Sequence, residues 1–89
     1  MKIRYTKRFA KQYDKANLKI QTVFKEKVKL FIKNPSNPLL RNHPLKGTLS
    51  GYKSINITGD WRALYTEGKQ DDNIIITFEM IGTHSQLYK

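Results

Sequence analysis

The stretch Asn34-Pro-Ser-Asn-Pro38 separates two halves of the chain that follow different hydrophobic periods. Each proline biases the residue before it away from the helical region, so a helix that reaches this point must stop. Upstream, Ile20, Val23, Phe24, Val28 and Phe31 recur at helical spacing over Leu18 to Lys33, while Lys19, Lys25, Glu26, Lys29 and Lys33 lie largely elsewhere. A shorter helix is expected over Lys7 to Ala16, with Thr6 as its cap, and "KIRYT" before it reads as a short strand. Downstream the period falls to two, and "YKSINI", "WRALYT" and "NIIITFEMI" read as strands. "TGD" joins the first two tightly and "EGKQDDN" makes a longer turn before the third, whereas Leu39 to Ser50, with His43, Pro44 and Gly47, reads as an extended loop.

Two helices followed by a run of strands predict an α+β domain of order β-α-α-β-β-β, its helices packed on a mainly antiparallel four-stranded sheet. The N-terminal strand is expected in that sheet, because alone it would leave its backbone groups unpaired. At 89 residues the chain is expected to form a single domain over 1–89, near the lower limit for a core without staples. Alternation puts Lys53, Ile55 and Ile57 on one face and Tyr52, Ser54 and Asn56 on the other; Trp61, Ala63 and Tyr65 oppose Arg62 and Leu64. In the last strand it groups Ile74, Ile76, Phe78 and Met80 against Ile75, Thr77, Glu79 and Ile81, so both faces are apolar, as suits a central strand.

The chain has no cysteine, which excludes disulfides and thiolate metal sites, and no apolar run long enough for a membrane span. "MKIRYTKRF" lacks the apolar stretch of a signal peptide, so a cytoplasmic protein is expected. Seventeen Lys and Arg against seven Asp and Glu give a net charge of +10. A field of this sign favours polyanions such as RNA, DNA, anionic membrane or an acidic protein segment, without choosing among them.

Chemistry-bearing residues are few. Asp71 and Asp72 lie in a turn, and no His or carboxylate set has ligand spacing, so neither a metal nor another cofactor is expected. Phosphate-cradling glycine loops and nucleophile elbows are missing from the sequence. There remain groups able to move protons or steady a phosphate: His43, His84, Asp60, Arg62, Lys46, Lys53, Tyr52 and Tyr88. Singly, each has an ordinary structural reading, His43 as a surface residue, Asp60 as a turn residue after Gly59, and Trp61 as a core aromatic.

In combination, "NHPLKGTLSGYKSINITGDWRALY" followed by a strand and "GTHSQLYK" closely resembles the RelE/ParE superfamily of bacterial toxin-antitoxin toxins, and particularly its YafQ-like branch. The likeness covers nearly the whole chain. It implies a RelE-like fold, ending in a short helical turn, and a metal-free endoribonuclease that cuts mRNA, typically in the ribosomal A site, and is held inactive by a cognate acidic antitoxin. Residue by residue, it implies catalytic roles for His43, Asp60, Arg62 and His84. RNA contact is implied for Trp61 and for Tyr88 in the place of the terminal aromatic. Lys46, Lys53 and Asn56 complete the expected substrate-binding set. Two positions depart from the branch: Asn56 stands where it has a histidine, and Met80 where it has an arginine, leaving Arg62, then Lys46 and Lys53, as replacement cations. Two other activities share the fold, a ParE-like toxin that binds DNA gyrase and a catalytically silent RNA-binding relative.

Overall fold

The structure, a computed structural model, describes residues 1–88. Its elements are β1 (Lys2–Tyr5), α1 (Lys7–Lys15), α2 (Leu18–Lys33), β2 (His43–Pro44), β3 (Lys53–Asn56), β4 (Trp61–Gln70), β5 (Asn73–Thr83) and α3 (His84–Leu87). The α+β class and the element order follow the sequence reading, with one strand more than expected. The sheet has five strands in the order β1-β5-β4-β3-β2, antiparallel except where β1 runs parallel to β5.

Both long helices start at side-chain caps. The Phe9 amide donates to Thr6 Oγ1 at 3.0 Å, and the Ile20 amide to Asn17 Oδ1 at 2.9 Å, each satisfying a donor that has no intrahelical acceptor. Thr6 also takes over from β1 at the edge of β5, its hydroxyl donating to the Glu79 carbonyl at 3.2 Å. Further along, Gln12 Oε1 of α1 accepts from the Ile81 amide at 2.9 Å, so the helix completes the pairing that a four-residue strand leaves undone.

One face of the sheet carries the core. Phe9, Phe24 and Phe31 from the helices meet Ile55, Ala63, Tyr65, Ile76, Phe78 and Ile81 from the strands. The rings pack edge-on or tilted, with Phe24 and Phe78 centroids 5.3 Å apart at 84°. Each fully buried ring contributes roughly 1.5–3 kcal/mol of apolar burial.

Three details differ from the alternation-based reading. First, β4 and β5 extend through most of "EGKQDDN", and the turn closes at Asp71, which adopts a left-handed φ of 56°. Second, the expected loop holds the two-residue strand β2, where His43 pairs with Ser54 and Pro44 with Lys53. Third, the β4–β5 register breaks between Leu64 and Tyr65: Leu64 faces Met80, while Tyr65 faces Phe78. Glu79 is therefore an extra residue, a β-bulge, and every side chain after it changes face. Ile81 thus joins Phe78 in the core, and Met80 lies on the opposite face against Leu64, both buried.

Candidate active site

The face of the sheet away from α1 and α2 can be read row by row, because paired residues of neighbouring strands project to the same side. One row runs His43, Ser54, Leu64, Met80; the next runs Asn56, Arg62, Gly82. Leu64 and Met80 give the face a buried apolar floor, and the polar members stand around it. Ser54 was expected on a polar face, yet it is fully buried at 0% exposure, because the C-terminal residues fold back over it.

That fold-back begins at Gly82, which lies inside β5 rather than at the exit from it. A Cβ on Gly82 would stand 2.9 Å from Gln86 Oε1 and 3.4 Å from Leu87 Cδ2, so a side chain there would push the Gln86 amide off the Thr83 amide that it caps. Thr83 caps α3 in a reciprocal box with Gln86, and the His84 amide donates to the Asp60 carbonyl at 2.8 Å. Tyr88 follows, its ring edge-on to His84 with centroids 4.3 Å apart, and its hydroxyl oxygen lies 2.9 Å from Ser54 Oγ.

The result is a cleft of about 340 Å³ lined by Arg41, His43, Asn56, Arg62, His84 and Tyr88. The two arginines reach it differently. Arg62 Nη1 donates to the carbonyls of Thr58, Gly59 and Trp61 at 3.0, 3.2 and 3.0 Å, which ties the guanidinium to the β3–β4 turn. With Nη1 committed, Nε–H and the Nη2 hydrogens remain as donors. Arg41 sits in a left-handed conformation, φ 46°, at the end of the Pro38–Leu40 turn. That conformation is uncommon for a residue with a side chain. Its carbonyl lies 2.7 Å from His43 Nδ1. A carbonyl only accepts, so Nδ1 carries the hydrogen and Nε2 keeps the lone pair of the neutral ring.

Five of the expected residues, His43, Asn56, Arg62, His84 and Tyr88, therefore line one cleft. The others lie around it. Asp60 meets His84 through its backbone carbonyl. Trp61 packs partly buried against the core and lines a separate depression with Gln12, Lys15 and Gln86. Lys53 pairs with Glu67 at 3.4 Å and borders a neighbouring cleft that shares Arg41 and His43. Lys46 lies beyond Tyr88, in a depression with Leu45, Thr48 and Leu49. Arg41, which sequence reasoning missed, also lines this cleft; a loop arginine among 17 cations carries no distinguishing signal. No group of three His, Asp or Glu side chains is placed to hold a metal ion among the described residues, and no helix there is long and apolar enough to cross a membrane.

The architecture has relatives of known structure. YafQ from Escherichia coli strain BL21(DE3) superposes with a TM-score of 0.78 at 26% identity, over 98% of this chain and 97% of that one. The E. coli DinJ-YafQ toxin-antitoxin complex gives a TM-score of 0.74 at 27% identity over 98% and 96%. A YoeB/ParE toxin from Agrobacterium tumefaciens, at 21% identity and a TM-score of 0.76 over 94% and 99%, shares the fold. In sequence, the mRNA interferase toxin YafQ of E. coli K12 is 33% identical over 54 residues, 61% of this chain. The match spans about half of that relative, 54% of its length. The family described as "Bacterial toxin of type II toxin-antitoxin system, YafQ" matches residues 1–89, the whole chain, which therefore belongs to the YafQ family of type II toxins.

Proposed function

We propose that the chain is an endoribonuclease that arrests translation by cutting mRNA, with the ribosomal A site in the cytoplasm as its place of action. The observation that carries this reading is the pairing of two imidazoles with two guanidiniums around a single cleft. Similarity to a protein named an mRNA interferase toxin supports it. In the proposed reaction His43 Nε2 takes the proton of a ribose 2′-hydroxyl, and the 2′-oxygen bonds to the adjacent phosphorus. The bond from phosphorus to the 5′-oxygen breaks, and His84 delivers a proton to that oxygen, leaving a 2′,3′-cyclic phosphate and a 5′-hydroxyl. Arg62 stabilises the phosphorane charge from a fixed position, a contribution of about 10²–10³ in rate for one preorganised donor, and Arg41 adds a second positive charge at the cleft. Asn56, Tyr88 and Lys46 contact the RNA, with Trp61 and Lys53 outside the reacting centre, and Asp60 sets the start of α3 through its carbonyl.

The YafQ of E. coli has been solved with the antitoxin DinJ. By analogy this chain has a cognate antitoxin, and the charge of +10 makes an acidic wrapping segment the fitting form.

Induction in bacteria, with His84→Ala compared at equal expression, tests the reading. Growth arrest with new 5′ ends inside mRNA, both lost in the variant, is the expected result. Growth arrest with intact mRNA and loss of gyrase supercoiling activity would refute it in favour of gyrase binding.

A further inference from the structure

We propose that Ser54 is the positioning residue of the cleft, holding the Tyr88 phenol and, through it, the His84 ring. The inference rests on the ribonuclease reading for its consequence but not for its geometry. Ser54 is the one buried polar side chain among the described residues, at 0% exposure in the middle of the sheet. Its register partners are His43 on one side and Leu64 on the other, so it lies directly under the cleft rather than at its rim. A hydroxyl buried without a partner is costly, and an alanine would serve the floor better if packing were its only task.

Its partner is Tyr88, 34 residues away in sequence, with the two oxygens 2.9 Å apart. This bond is the polar tie from the sheet floor to the C-terminal turn. Tyr88 in turn meets His84 twice: its amide donates to the His84 carbonyl at 2.9 Å, and its ring stands at 89° to the imidazole. A displacement of the phenol therefore displaces the imidazole that is to protonate the leaving oxygen.

Hydrogen accounting gives the bond a direction. Two hydroxyls share one contact and carry two hydrogens, so one hydrogen must look elsewhere. Ser54 has no second partner among the described residues and no access to solvent, whereas Tyr88 is half-buried and lines the cleft. The arrangement that strands no buried hydrogen has Ser54 donating to the Tyr88 oxygen. The phenol hydrogen is then aimed into the cleft, where a phosphate or leaving oxygen accepts it. Ser54 thus both anchors the turn and presents a donor that it does not itself supply to RNA.

The test uses Ser54→Ala, Tyr88→Phe and their double variant in the full chain, each checked for an unchanged melting transition, with Tyr88→Ala as the reference for a lost ring. Without RNA, the nuclear magnetic resonance shift of the His84 Cε1 proton reports the edge-on Tyr88 ring. Ser54→Ala is expected to move it at least halfway to its value in Tyr88→Ala. With an RNA oligonucleotide, Ser54→Ala is expected to slow single-turnover cleavage about tenfold at unchanged KM, and to add nothing to Tyr88→Phe. An unmoved His84 resonance, or rate losses that multiply in the double variant, would overturn the proposal. If the wild-type chain cleaves no RNA while Ser54→Ala still moves the resonance, the ribonuclease reading falls and the positioning role stands.

Discussion

Replacing Arg62 probes the part of the site whose geometry is most over-determined. Its Nη1 faces three carbonyl oxygens within 3.2 Å, those of Thr58, Gly59 and Trp61, so the guanidinium is held in place in the chain alone. Five donors less the two on Nη1 leave three for a phosphate, in a planar fork. Arg62→Ala removes both the charge and the preorganisation, and single-turnover cleavage should fall about 10²–10³-fold, equivalent to roughly 2.7–4 kcal/mol of transition-state stabilisation. Arg62→Lys keeps the charge, but an ammonium that satisfies the same carbonyls has few hydrogens left, so it should recover no more than about one decade of that loss. The assay is cleavage of a short fluorescent RNA with enzyme in excess, beside a thermal melt. The turn carbonyls are partly open to water, so the melt should move by no more than about 1–2 kcal/mol equivalent in either variant. An alanine variant that cleaves within threefold of wild type, or a lysine variant that cleaves as well as wild type, would refute the idea that a fixed fork at residue 62 stabilises the phosphorane.

Three further outcomes follow from the fold. Gly82→Ala should loosen α3, since its Cβ meets the Gln86 oxygen that caps the Thr83 amide; loss of that cap corresponds to about 1 kcal/mol, seen as faster amide exchange at residues 84–88 and slower cleavage at a nearly unchanged melt. Tyr65→Phe should destabilise the chain by about 1–2 kcal/mol in urea titrations, because the Tyr65 hydroxyl donates to Asn42 Oδ1 at 2.7 Å and holds the segment leading to His43. Burial pushes the phenols of Tyr5, Tyr13 and Tyr65 above the ordinary value of 10.0. In these three groups the folded chain holds protons that the unfolded one loses, so their contribution to stability should be level well below pH 10 and fall as pH rises past it, read as a lower urea midpoint in alkali.

The helices were readable because their information is local. Thr6 caps α1 where expected, and the stripe of Ile20, Phe24, Val28 and Phe31 is the buried face of α2. The cleft was only partly readable, for reasons that lie in particular residues. A period of two cannot register an inserted residue, so Glu79 hid the change of face that separates Met80 from Phe78. β2 contains Pro44 and is two residues long, too short for any alternation to show. Ser54 reads as surface polar until Tyr88 is seen to lie over it, a contact across 34 residues. Arg41 enters the cleft through a left-handed backbone conformation that no glycine or asparagine announces. Trp61 sits beside Arg62 in the chain, yet a strand sends neighbouring side chains to opposite faces, which carries its ring to the core side.

The most direct test of the account is the chemistry of the ends left on RNA by the purified chain. Attack by the 2′-hydroxyl within a cleft of two imidazoles and two guanidiniums predicts a 2′,3′-cyclic phosphate on one fragment and a 5′-hydroxyl on the other, with both products lost in His84→Ala. Fragments bearing a 3′-hydroxyl and a 5′-phosphate, or cyclic-phosphate products formed equally well without His84, would contradict it.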